Sequence, residues 1–341
     1  MAAPLLWITE QNVVELLQLN DAIPALERGL RALGQGHAFN VPKALGGWGD
    51  SSSMHSLGSG APEIGYVGYK NWVHTKRGAT AIFTLFNAAD GSVAAVMEAA
   101  ALGQLRTSAM TGVGTRWLAA ADADDMALIG TGAQSITQVA AINAVRPLRH
   151  VRVWSPTPEK RHAFAAELQR QFTFTVADAP TLEAATDGAS IVTLVTRARD
   201  PFLSARMLAR GAHLNAVGAI LPANAEFHQD VFERVDVIAV DDVANVKRAS
   251  REFIERHAGS DADWSAVRPL SDVIAQGMQR PANCDLSLFK AMGMGLSDLS
   301  VAVMVLERAR AQGIGHSIDH PVRAVPRWTS AAAAAQEATH E

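Results

Sequence analysis

The chain has 341 residues, 48% of them hydrophobic, and a formal net charge of −4 spread over mixed signs. That length allows about two domains with a large core, and the charge balance argues against nucleic acid or an anionic membrane surface as a partner. No apolar run approaches the ~20 residues of a membrane span. The N-terminus lacks the basic start of a secretion signal, and a lone cysteine, Cys284, excludes an internal disulfide and fits a reducing cytoplasm.

Residues 8–36 carry apolar side chains at broad helical spacing, from Ile8 through Val13, Leu16, Ile23 and Leu26 to Leu33, with Thr9 as the expected N-cap. Residues 37–63 are rich in Gly, Ser and Pro and read as strands with loops. Within them, Ser51 to Leu57 reads as a polar loop feeding an edge strand. Ile64 to Phe86 alternates like strands, with Lys70 set among Tyr69, Trp72 and Val73. A lysine there either snorkels to the surface or serves a site. Asn87 to Gly91 is a hairpin turn and Ser92 to Met97 its return strand.

Glu98 to Ala121 reads as a helix of small residues holding Arg106. A guanidinium in such surroundings either grips a carboxylate in a fork or lies on the surface. Next, Met126 to Ile129 runs into Gly130-Thr131-Gly132-Ala133-Gln134-Ser135 and then a helical pattern. Strand, Gly-x-Gly turn and helix open a dinucleotide-binding unit, with the pyrophosphate at the helix N-terminus. Ser135 stands where the third glycine of that fingerprint falls. Further strands at 151–154, 172–176, 189–196, 213–220 and 235–240, with helical patterns at 158–171 and 205–210, predict a parallel sheet covered on both faces.

The second strand of this unit ends at Trp154-Ser155-Pro156-Thr157, where NAD enzymes usually carry an acid for the ribose. Ser155 does not repel a 2′-phosphate, and Thr157, Lys160 or Arg161 lie within reach of one, so NADP is expected ahead of NAD. Residues 285–312 read as one long helix. Gly293 and Gly295 weaken it, which points to close approach of the backbone to another group. The alanine-rich tail from Ser330 is expected to fray. No His, Cys and acid cluster has metal-ligand spacing.

Four pieces occur in order: Gly68-Tyr69-Lys70-Asn71-Trp72, Leu105-Arg106-Thr107-Ser108-Ala109, Gly130-Thr131-Gly132-Ala133-Gln134, and Phe289-Lys290-Ala291-Met292-Gly293 followed by Asp298-Leu299. His213 to Gly218 is a fifth. On these the chain resembles the ornithine cyclodeaminase/mu-crystallin family from about residue 8 to about residue 312. The resemblance implies an α/β protein with a Rossmann-type doubly wound parallel sheet over 122–295. It implies a second, α+β domain for substrate and dimerisation, built from 1–121 with 296–341. It also implies a homodimer whose active site lies between the domains.

By position, Lys70 looks like the family's substrate-contacting lysine and Arg106 like its carboxylate-binding arginine. The family's cyclodeaminases carry an aspartate in a Gly-Gly-Asp-x-Pro setting, where this chain has Gly218-Ala219-Ile220-Leu221-Pro222. Isoleucine cannot act as a base. Many members also have an arginine two residues past Pro42, where this chain has Ala44, with Lys43 as the nearby substitute. The expected activity is therefore NAD(P)H-dependent reduction of a ketimine beside a carboxylate, of the pyrroline-2-carboxylate or piperideine-2-carboxylate type. Three alternatives stay open: an amino-acid dehydrogenase or reductive aminase, a cyclodeaminase, and a mu-crystallin-like NADP-dependent binding protein. The expected substrate contacts are Lys70 and Arg106, both also catalytic candidates, with Lys43, Met54 and His55. The expected cofactor contacts are Thr107, Gly130, Thr131, Gly132, Ala133, Gln134, Ser155, Thr157, Thr196, Val217, Gly218, Lys290 and Gly293.

Overall fold

The structure, a computed structural model, describes residues 4–49, 51–258 and 262–326. Its first half runs β1 (Leu5–Ile8), α1 (Glu10–Leu16), α2 (Leu19–Gly34), β2 (Phe39–Trp48), β3 (Ser52–Ala61), β4 (Tyr66–Thr75), β5 (Gly78–Asn87), β6 (Val93–Glu98) and α3 (Ala100–Leu118). Next come β7 (Asp125–Ile129), α4 (Ser135–Val145), β8 (His150–Trp154), α5 (Pro158–Gln171), β9 (Thr175–Asp178), α6 (Leu182–Thr186), β10 (Ile191–Leu194) and β11 (Ala212–Ala216). The chain closes with β12 (Val235–Val240), α7 (Val243–Ala249), α8 (Arg251–Arg256), β13 (Val267–Pro269), α9 (Leu270–Ala275), β14 (Leu286–Lys290), α10 (Gly295–Gln312) and β15 (His316–Ile318).

Two sheets result. The 8-stranded sheet has the order β13-β12-β14-β11-β10-β7-β8-β9, and its pairs are parallel. Its central strands are buried along their whole length, as strands covered by helices on both faces must be. The 7-stranded sheet, β15-β1-β6-β5-β4-β3-β2, is antiparallel except where β1 pairs with β6. A Rossmann-type doubly wound parallel sheet with a second, α+β domain is the expected fold class, and the parallel sheet with a separate, mostly antiparallel sheet bears it out. No helix among the described residues is long and apolar enough to cross a membrane.

Helix α3 joins the two halves. A Cβ at Gly112 would lie 2.9 Å from Ile23 of α2, and one at Gly114 would lie 2.7 Å from the ring of Phe289 on β14. The small residues of this helix therefore let it pack tightly against both units. On the other side α10 lies across β2 to β5 of the antiparallel sheet.

Four expectations from the sequence need correction. Residues 285–312 are not one helix: Leu286-Ser287-Leu288-Phe289-Lys290 is strand β14, wholly buried between β11 and β12. A continuous apolar run has no period that separates a buried strand from a buried helix. Gly295 begins α10, and a Cβ there would lie 2.2 Å from the Gly58 carbonyl oxygen, so the close approach inferred from the glycines is real. Second, residues 8–36 divide into the end of β1, α1 and α2. Both helices bury their apolar side chains in one core, so the spacing runs on across the break at Leu17 and Gln18. The expected N-cap does form, as Thr9 and Asn12 make a capping box. Third, residues 205–210 hold only a 3₁₀ turn, Ala205–Met207. Fourth, β3 is internal and β2 is the edge strand. The tail from Ser330 lies outside the described residues.

Candidate active site

On β4, alternation sends Lys70 to the inner face of the antiparallel sheet, under α10 and beside α3. The residue is 5% exposed. Its Nζ donates to Asp298 Oδ1 at 2.6 Å, and Arg106 Nε donates to the same oxygen at 3.1 Å. Asp298 is fully buried in the first turn of α10, where the helix dipole favours a negative charge. Its Oδ2 is buried with no hydrogen-bond partner. Burial first, and the neighbouring Arg106 second, push the Lys70 ammonium down to about 8, against the opposing pull of Asp298.

Only Nε of Arg106 is engaged, so Nη1 and Nη2 make no hydrogen bond among the described residues. The backbone clears the space around them. A Cβ at Gly293 would stand 3.5 Å from Arg106 Nη1, and one at Gly103 would stand 3.4 Å from Lys70 Nζ. Lys70 and Arg106, 36 positions apart in sequence, thus meet on one buried carboxylate with a guanidinium edge left over for an anion.

Further along the same face, His55 stacks on Trp72 with ring centroids 4.4 Å apart, as their direct cross-strand pairing dictates. Lys43 and Lys70 place their Nζ atoms 5.4 and 5.2 Å from the centre of the Trp72 ring. Partial burial, then Arg248 and Arg106, lower the Lys43 ammonium below the usual lysine range. The His55 imidazolium is disfavoured by burial first, then by Lys43 and His74. Met54 is a correction. It pairs with Val73 and is exposed on the outer face, opposite the one that carries Lys70, His55 and Trp72. A period of two puts adjacent residues on opposite faces.

The dinucleotide loop lies on the other side of α3. Strand β7 is flanked by β8 on one side and β10 on the other, so its C-terminal end is the point where strand order reverses, the usual ligand crevice of such sheets. Gly130 has φ +117°, and a Cβ there would meet the Val195 carbonyl oxygen at 2.7 Å. A Cβ on Gly132 would project into open space. The N–H groups of Thr131, Gly132, Ala133 and Gln134 make no hydrogen bond among the described residues; the next one engaged is Ser135 N to Gly132 O at 3.0 Å. Free donors around an open cradle at a helix N-terminus fit a pyrophosphate. Gln104 Nε2 on α3 donates to Ala133 O at 2.7 Å and so ties this loop to the helix that carries Arg106. Thr107 turns back onto its own helix at Gly103 O.

At the end of β8, Ser155 is buried and no carboxylate occupies its position. The guanidinium of Arg161 binds the Ser155 carbonyl oxygen at 3.2 Å and pairs with Asp178. Thr157 is the N-cap residue of α5 and makes no side-chain cap bond.

Glu226 is a buried carboxylate beside the candidate site that sequence reasoning missed. Fully buried, it accepts from Thr196 N and Oγ1 (both 2.7 Å), Gly218 N (2.9 Å) and Ala219 N (3.0 Å). It thereby gathers the ends of β10 and β11 into one wall. Lys290 also needs correction as a cofactor contact. Its ammonium is fully buried, donates to Ala219 O at 2.6 Å and lies 3.8 Å from Glu252. It braces the wall from behind. Gly218 is packed so closely that a Cβ would fall 2.2 Å from the Thr196 backbone N and O. Gly218→Ala is expected to cost about 1–3 kcal/mol or more of stability through overpacking, read by chemical denaturation, and to weaken cofactor binding in a fluorescence titration. Unchanged values for both would show that the wall tolerates displacement. Ile220, in the place of the cyclodeaminase acid, is 42% exposed.

A Rossmann-type sheet with an open glycine loop at its switch point, joined through one helix to an antiparallel sheet holding a buried Lys–Asp–Arg cluster, defines the class of protein. The chain belongs to the ornithine cyclodeaminase/mu-crystallin family, whose model matches residues 6–313. It is 28% identical to a delta(1)-pyrroline-2-carboxylate reductase of Bacillus cereus over 67% of this chain and 71% of that protein. It is 29% identical to the ketimine reductase mu-crystallin of Mus musculus over 71% of this chain and 73% of that protein. Among solved structures, the Thermococcus litoralis delta(1)-pyrroline-2-carboxylate reductase in complex with NADH and L-proline superposes with a TM-score of 0.85. The identity is 22%, covering 92% of this chain and all of that one.

Proposed function

We propose that the protein is an NAD(P)H-dependent reductase of a ketimine next to a carboxylate. The observation that carries this reading is the buried Lys70–Asp298–Arg106 cluster, with the Arg106 Nη groups unengaged, one helix away from an open glycine loop. Arg106 grips the substrate carboxylate. Lys70, with an ammonium pushed down to about 8, lies beside the C=N nitrogen and holds or gives its proton. A dihydronicotinamide, when bound, supplies hydride to the imine carbon. The protein's own work is orientation and electrostatics. Ile220 supplies no base, which favours reduction over cyclodeamination. The uncharged Ser155 and the adjacent Arg161 favour NADPH over NADH.

In this reading residues 122–295 form the nucleotide domain, and 1–121 with 296–341 form the substrate and dimerisation domain. The sheet memberships of β14 and of β1 with β15 support that division. The protein acts as a homodimer in the cytoplasm. Phe39, Trp48, Met54, Tyr69 and Val73, exposed on the outer face of the antiparallel sheet, support a dimer interface there.

The test follows absorbance at 340 nm with NADPH or NADH and a panel of pyrroline-2-carboxylate, piperideine-2-carboxylate, and pyruvate with ammonia or methylamine. The expected result is oxidation of the reduced cofactor without net release of ammonia. Cofactor binding with no oxidation by any imine would overturn the proposal.

A further inference from the structure

Glu226, on the loop after β11, is held from every side. Its backbone accepts from Phe202 N and Leu203 N at 3.2 and 3.1 Å and donates to Glu252 Oε1 at 3.0 Å. Its carboxylate meets four donors, with Thr196 N and Oγ1 on Oε1 and Gly218 N and Ala219 N on Oε2. A protonated acid would need an acceptor in place of one of these, so the geometry fits the carboxylate. Burial pushes the acid up, and Lys290 and the Thr196 and Ala219 donors pull it back. Lys290 and Glu252, also fully buried, complete the group. Lys290 Nζ holds the Ala219 carbonyl oxygen and lies 3.8 Å from Glu252 Oε2, which accepts from Ser250 Oγ at 2.9 Å. The Gly218–Ala219 backbone is thus pinned through its N–H groups by one charge and through its carbonyl by the opposite one.

The place of this clamp matters. The glycine loop leaves β7, and the ribose of an adenosine half belongs at the end of β8. The strand order β11-β10-β7-β8 therefore puts the other half of a dinucleotide over the ends of β10 and β11. Thr196 and Gly218–Ala219 stand there. A Cβ at Gly130 would lie 3.3 Å from Thr196 Cγ2, so the wall begins where the loop ends. The Thr196 hydroxyl is engaged by Glu226 and by Ala198 N at 3.2 Å. We propose that Glu226 is a positioning residue: its carboxylate fixes the ends of β10 and β11 so that they hold the nicotinamide ring of NAD(P)H, while the adenosine half binds independently of it. This rests on the dinucleotide reading of the glycine loop. Glu226→Gln keeps the volume but sets an amide NH2 against two of the four donors.

The test titrates the full chain calorimetrically with NADPH and with 2′-phospho-ADP-ribose, which lacks the nicotinamide, and follows the fluorescence of the bound dihydronicotinamide. NADH with ADP-ribose runs alongside. Wild type should bind the dinucleotide about tenfold or more tighter than its fragment. In Glu226→Gln that advantage should shrink about tenfold, because buried donors lose their acceptor, while the fragment Kd stays within about twofold of wild type. The fluorescence of bound cofactor should move toward that of free cofactor. Thr196→Val removes one donor and keeps shape and charge. It should lose about threefold of the advantage, and it decides the matter if Glu226→Gln does not fold. Equal loss for dinucleotide and fragment in a folded variant, or an unchanged advantage, would overturn the inference and leave the dinucleotide reading standing. Wild type that binds neither molecule would remove both.

Discussion

Replacing Arg106 with alanine is expected to lower kcat/KM for the imino acid by roughly 30- to 4,000-fold, equivalent to about 2–5 kcal/mol for losing one partner of a hydrogen-bonded charge pair. The loss should fall mainly on KM, because a carboxylate grip acts on ground state and transition state alike. Arg106→Lys keeps the charge but loses the planar fork, so it should recover only part of the loss. Cofactor affinity, measured by fluorescence titration, should stay near wild type, since Arg106 faces Asp298 and Gly293 and makes no contact with the glycine loop. A near wild-type KM in Arg106→Ala would remove this residue from the site.

Asp298→Asn carries the second large effect. Lys70 and Arg106 both rest on Asp298 Oδ1 in a buried setting. Removing that charge leaves two cations side by side, and breaking a buried pair in this way typically costs about 3–5 kcal/mol of stability. The kinetic consequence has a definite sign. Asp298 raises the Lys70 ammonium, whereas burial and Arg106 lower it, with the balance at about 8. Wild-type kcat/KM should therefore fall as pH rises through about 8, as Lys70 loses its proton. In Asp298→Asn the alkaline limb should move to lower pH, because the group that holds the proton on Lys70 is gone. Stability has its own sign. The unfolded chain binds the Lys70 proton up to about 10.5 and the folded chain only to about 8, so this group's penalty is relieved as pH rises between those values. Rate profiles and thermal unfolding across pH 6–10 for wild type, Asp298→Asn and Lys70→Met separate the two effects. Identical alkaline limbs in wild type and Asp298→Asn would show that the carboxylate does not govern Lys70.

Much of this site was legible as residues and little of it as partnerships. Lys70 stood out as a charge in an aromatic strand, Arg106 as a guanidinium among small residues, and Gly130 to Gly132 as a turn at the end of an apolar run. Each signal is local: a period of two, a composition, a backbone that only glycine allows. Local physics also gave the parallel sheet, because strands covered on both faces are apolar throughout.

Tertiary structure decided the rest. Asp298 lies 228 residues from Lys70 and 192 from Arg106, and no spacing rule links a helix's first turn to a strand that far back. Glu226 sits in a loop that looks merely polar, and its role exists only because β10 and β11 end side by side there. The strand that ends at buried Lys290 reads as helix because a short run enclosed on every side has no exposed face, and without one the sequence has no period to show. Met54 and His55 are neighbours, yet one faces outward and the other stacks on Trp72 on the inner face. That choice rests on the register of β3 against β4, which hydrogen bonds between distant segments set. The chain by itself determined which chemical groups are present and which backbone shapes are allowed. Which of those groups meet was decided by long-range packing, since burial and charge pairing depend on distance in space and not along the sequence.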